Sequence, residues 1–128
     1  MALGRAIEVN EAFRVLKDPV RRAEALLARR GVASGEGKEP AASPALLMEV
    51  MERREALGEI RRSKDVGALE QMMSEVRHIE QRTQAALSTE FAAPAPAANF
   101  AEILKRIGEL RYYRRFLDEA AAIADDLL

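Results

Sequence analysis

Apolar and polar positions alternate along this chain with a helical period, and breakers cut the pattern into five stretches. Residues 2–17 carry Leu3, Ile7, Phe13 and Leu16 along one side, which predicts a first helix. It meets Asp18-Pro19, where Pro cannot continue a helix but can begin the next one. The spacing then predicts a short helix through PVRRAEALLARR that stops at Gly31, a residue suited to the left-handed C-terminal position. The stretch GVASGEGKEPAA (31–42) has no period and is rich in Gly, Ser and Pro, so it reads as a linker or exposed loop. Ser43 before Pro44 supplies a capping oxygen and a first-turn Pro for a helix running to about Ser63. Asp65 can cap a helix over about 66–89, and AAPAPAA (92–98) is a Pro-interrupted connector. Asn99, with Glu102 three residues on, resembles a capping box opening a last helix over about 100–127.

The last three stretches share a three-four spacing. Their stripes are Leu46, Val50, Arg53, Leu57 and Ile60, then Leu69, Met72, Val76, Ile79, Thr83 and Ala86. The third is Ile103, Arg106, Leu110, Tyr113, Leu117, Ala120, Ala124 and Leu127. Three near-heptad stripes joined by short connectors predict an antiparallel three-helix bundle, so the fold class is all-α. Arg53 and Arg106 interrupt the stripes. They must snorkel or find a carboxylate, because an unpaired buried charge is too costly.

One stretch has more apolar surface than a single seam can use. In ALLMEVMERREAL (45–57), a rotation of about 100° per residue puts Leu47, Met48, Met51, Glu52 and Glu55 away from the Leu46/Val50/Leu57 seam. Tyr112 likewise lies outside the Leu110/Tyr113/Leu117 seam. Two readings stay open. Scattered exposed apolar residues are ordinary, and a twisted bundle could cover Leu47. Alternatively, adaptable Met side chains and an anchoring Tyr, rimmed by Glu, form a patch for another protein. The first helix has a related problem, since a lone helix cannot bury Leu3, Ile7, Phe13 and Leu16 by itself.

Composition narrows the function classes. The 128 residues hold 20 Lys+Arg against 21 Asp+Glu, so no strong field draws the chain to nucleic acid or an anionic membrane. With no cysteine, disulfides, thiolate metal sites and cysteine nucleophiles are excluded, and a reducing cytoplasmic setting fits. No apolar run approaches the roughly 20 residues of a spanning helix. His78, in EVRHIEQ, has only Glu75 and Glu80 nearby and reads as a helix-surface histidine. GEGK (35–38) lacks the first Gly and the Ser/Thr of a phosphate loop. Neither a catalytic residue, a metal site nor a cofactor is expected, and the chain reads as a non-enzyme. A mutase-type helical enzyme would need Arg53, Arg54, Arg106 and Arg114 to line one basic pocket, and a client-free module would self-associate through its first helix.

A family resemblance rests on these same segments. VNEAFRVLKDPVRRAEALLARRG (9–31) resembles the third helix and following turn of the J-domain in HscB-type co-chaperones. LLMEVMERREALGEI (46–60) resembles the start of that family's C-terminal bundle, and ELRYY (109–113) its last helix. The resemblance implies a J-domain remnant over 1–31, a linker over 32–43 and a scaffold-binding bundle over 44–128. It further implies delivery of the iron–sulfur scaffold IscU to the DnaK-type chaperone HscA, whose ATPase such proteins stimulate. Scaffold binding would fall to Leu47, Met48, Met51, Glu52, Glu55 and Tyr112, with no cluster bound by the chain itself. J-domains act through a His-Pro-Asp tripeptide ahead of their third helix. His78 is followed by Ile, and that tripeptide is absent from this sequence, so HscA stimulation is expected to be weakened or lost. Arg53 also stands where the family usually carries Trp or Leu, and Gly58 falls within a helix interior.

Overall fold

The computed structural model describes residues 18–35, 39–92 and 99–127. The helix expected over 2–17 and the Pro-interrupted connector lie outside these residues. The described residues form four helices: α1 (Pro19–Arg29), α2 (Pro44–Ser63), α3 (Val66–Ala92) and α4 (Phe100–Leu127).

Each helix begins at a capping side chain: Ser43, Asp65 and Asn99 are those the sequence predicts, and Asp18 adds the cap of α1. Asp18 accepts hydrogen bonds from the Val20 and Arg21 N–H groups, Ser43 from Leu46, Asp65 from Ala68 and Asn99 from Glu102. These oxygens satisfy donors that the first turn leaves without intrahelical partners. Gly31, at φ 74°, follows α1 and takes the left-handed conformation its position requires. The turn from α2 to α3 puts Lys64 in the same region, at φ 57°, with its N–H closing on the Ile60 carbonyl.

Two clusters of buried side chains show how the helices run. The first joins Leu46, Leu57 and Ile60 of α2 to Leu69, Met73 and Val76 early in α3, and to Tyr113, Phe116 and Ala120 late in α4. The second joins Leu87 near the end of α3 to Ile103, Ile107 and Leu110 early in α4. The start of α3 therefore lies beside the end of α4, and the two are antiparallel along the most extensive helix–helix contact of the fold. The expected three-helix bundle is present over α2, α3 and α4.

The stripes are right in period and off by one residue in places. On α3, Met73 and Leu87 join Leu69, Val76 and Thr83 among the buried side chains, in place of Met72 and Ala86. On α4, Ile107 and Phe116 take the central positions that the heptad reading gave to Arg106 and Leu117. The cause is period: a straight helix repeats every 3.6 residues and drifts from a 3.5-residue stripe over seven or eight turns.

The core position of Tyr113 carries a consequence for alkaline stability. Burial, together with the charges of Glu49 and Glu109, pushes its phenol above the ordinary 10.0, against Arg53 and Arg82. A raised folded-state value favours the neutral form in the native protein. Its contribution to stability is complete below pH about 10 and is lost as pH rises beyond that value. Tyr113→Phe is expected to flatten the fall of Tm between pH 9 and about pH 11 relative to the parent chain; parallel curves would refute it.

Helix α1 does not stand apart. Val20, Ala23 and Leu27 enter the second cluster against Leu87, Ile103, Ile107 and Leu110. Ion pairs add to this contact: Arg114 of α4 reaches Asp18 at 3.0 Å, and Arg111 reaches Glu24 at 2.7 Å. Burial alone would raise the Asp18 carboxyl, but hydrogen bonds from Arg21 and Arg114 outweigh it and hold the group below its ordinary value.

Candidate functional site

Helix α2 buries one face and leaves another bare. Leu46, Leu57 and Ile60 pack inward with Val50 partly buried beside them, while Leu47 is 44%, Met48 64% and Met51 71% exposed. These three are the large hydrophobic side chains exposed among the described residues. They line one shallow surface groove with Pro44, Glu52, Arg54 and Glu55. The bundle's twist therefore does not cover Leu47, Met48 and Met51.

Pro44 and Arg54 were missed as members of this face. Arg54 follows Leu47 by seven residues, two helical turns, so the helical period could have included it. Its guanidinium leans to Glu119 of α4 at 3.1 Å. Glu52 and Glu55 leave the rim acidic, as expected.

Tyr112 is placed differently. Half-buried, it packs against the first core cluster, with the Arg115 guanidinium 6.0 Å from its ring centre. It lines a separate cleft with Leu46, Ser43, Lys105, Glu109 and the chain from Glu39 to Ala42. The cleft and the methionine groove meet at the first turn of α2, where Ser43 and Leu46 face one and Pro44 and Leu47 the other. Sequence reasoning placed Tyr112 outside the α4 seam but could not supply this second wall, because residues 39–42 have no period.

The arginines that broke the stripes have carboxylates. Arg53 pairs with Glu49 at 3.0 Å and with Glu75 at 4.0 Å, its side chain 20% exposed. Arg106 pairs with Glu102 at 3.6 Å, while its Nε is buried without a hydrogen-bond partner. Arg54 goes to Glu119 and Arg114 to Asp18. The four arginines of a mutase-type pocket thus disperse to separate carboxylates and do not converge. His78 is exposed on α3. Among the described residues no group of His, Cys, Asp or Glu could hold a metal ion, and no helix is long and apolar enough to cross a membrane.

The sequence of this bundle matches a known family. A model described as the HSCB C-terminal oligomerisation domain matches residues 42–121, more than half of the chain. The chain belongs to the HscB family. A co-chaperone protein HscB homolog from Shewanella baltica is 33% identical over 133 residues, covering 100% of this chain and 74% of the relative. One from Azoarcus is 38% identical over 117 residues, and one from Burkholderia multivorans 40% over 77. This chain spans 65% and 44% of those two proteins and covers 90% and 60% of its own length in doing so. Among solved structures, chaperone HscB from Vibrio cholerae superposes with a TM-score of 0.83 at 29% identity, over 100% of this chain and 72% of that one. The HscB fold accounts for α1 as well as the bundle, since the superposition extends beyond the residues of the family model.

Proposed function

We propose that this chain is a co-chaperone adaptor of iron–sulfur cluster biogenesis rather than an enzyme. It binds an IscU-type scaffold protein on its bundle and presents it to a DnaK-type HscA chaperone. In this reading residues 1–31 are the J-domain side, 32–43 the joint and 44–128 the scaffold-binding part. The observation that carries it is the strip of Leu47, Met48 and Met51, bare on a helix whose seam residues Leu46, Leu57 and Ile60 are buried, and edged by Glu52 and Glu55. Apolar side chains of this size exposed together mark interaction surfaces, and Met adapts to a partner's shape. Glu52 and Glu55 set orientation and on-rate more than affinity. Tyr112 contributes as a half-buried wall of the adjoining cleft.

The direct test is a footprint by nuclear magnetic resonance. Adding the IscU-type scaffold should shift amide and methyl signals of residues 44–55 and the ring signals of Tyr112, and leave the exposed face around Glu70, Ser74 and His78 unmoved. Shifts confined to that α3 face would overturn the assignment. The family model is described as an oligomerisation domain, and a second reading puts another copy of this chain on the strip. Concentration-dependent shifts at residues 44–55 without scaffold, matched by a dimer mass in light scattering, would select it.

A further inference from the structure

Arg111 occupies a junction that the scaffold-binding reading does not use. Its Nε donates to Glu39 at 2.5 Å and its Nη2 to Glu24 at 2.7 Å. One planar guanidinium therefore ties three pieces of chain: α4, which carries it; α1, which carries Glu24; and the segment that leads into α2. Its side chain is 24% exposed and that of Glu39 only 10%. Burial alone would lower the Arg111 pKa, but the two carboxylates outweigh it and raise the group above its ordinary value. Solvent and salt screen so sheltered a bond less than a surface pair.

The neighbouring backbone fits the same junction. Glu39 packs over α4 at Gly108, where a Cβ would make ordinary contact, 3.6 Å from both Cβ and Cγ of Glu39. Four residues after Glu39, Ser43 caps α2 through Leu46 and accepts from the Leu47 N–H at 3.0 Å.

We propose that Arg111 is a positioning residue: through Glu39 it fixes the first turn of α2 and the near end of its exposed apolar strip, and through Glu24 it locks α1 to the same point. The two arms make α1 and the docking face one mechanical unit. The arms are separable because they end on different carboxylates. Only a guanidinium serves both, since its fork has donors in fixed divergent directions, whereas the Lys ammonium is a single point charge. The consequence for docking rests on the scaffold-binding reading; the two-armed pin does not.

Amide hydrogen exchange on the full chain tests it. In Arg111→Met, exchange should quicken on the order of tenfold in both residues 19–29 and residues 44–48, with the middle of α3 unchanged. Glu24→Gln should loosen only 19–29, and Glu39→Gln only 44–48. Arg111→Lys should restore one segment and not both. Equal loosening of both segments by either Glu variant would overturn the two-armed pin, as would no change in any variant. Should Arg111→Met loosen the whole molecule, the two Glu variants still decide. Calorimetry with the IscU-type scaffold forms the second arm: affinity should fall several-fold in Arg111→Met and Glu39→Gln and hold in Glu24→Gln. Unchanged affinity in all three, with the expected exchange pattern, overturns the link to docking. If the parent chain does not bind the scaffold at all, the scaffold-binding reading fails while the exchange pattern stands.

Discussion

A chain in which Leu47, Met48 and Met51 are all replaced by Ala is expected to lose at least about a hundredfold in affinity for the IscU-type scaffold. Its helical circular dichroism should stay at the parent level. The size of the effect follows from the geometry of α2. The three side chains stand together and are exposed, so a partner can desolvate all of them at once, and clustered residues of this kind carry most of the binding energy of an interface. Folding does not depend on them. They bury little within the chain, and Ala at exposed helical positions is at least as favourable as Leu or Met. Replacing Glu52 and Glu55 by Gln should instead slow association and weaken its salt dependence, with a smaller change in affinity. Calorimetric affinity within threefold of the parent for the triple variant would remove the strip from the binding site.

The second large effect concerns the join between α1 and the bundle. Leu27→Ala is expected to destabilise the whole fold by about 2–5 kcal/mol, the usual range for emptying a fully buried Leu site. Against a total of roughly 5–15 kcal/mol for a protein of this class, that is a large share, and Tm should drop on the order of 10 °C. Leu27 is fully buried, and its cluster includes Leu87 of α3 with Ile103, Ile107 and Leu110 of α4. Removing its branched end opens a cavity between α1 and the bundle, so loss should appear in the unfolding of α3 and α4 as well. A separate α1 arm would give the opposite result, with α1 fraying early and the Tm of the bundle unmoved.

Much of this architecture was legible before any coordinates because it depends on local chemistry. Ser43, Asp65 and Asn99 are short oxygen-bearing side chains one residue ahead of a periodic run, and each caps the helix that follows. Pro19 and Pro44 open helices because their missing N–H would have no partner there in any case. The exposed strip on α2 was also visible, since one helix face cannot serve two seams. The residues that local reasoning misplaced, Met72 for Met73 and Leu117 for Phe116, lie where a 3.5-residue stripe departs from a 3.6-residue helix.

Sequence by itself thus determined an all-α chain, where the bundle helices begin, and which side chains of α2 lie off its seam. Tertiary structure alone decided what those helices meet. It placed α1 on the second cluster, supplied the second wall beside Tyr112, and paired Arg111 with carboxylates 72 and 87 positions away. Periodicity reports the direction a side chain faces along its own helix. It holds no information on which distant carboxylate waits there, and that is set only when the helices pack.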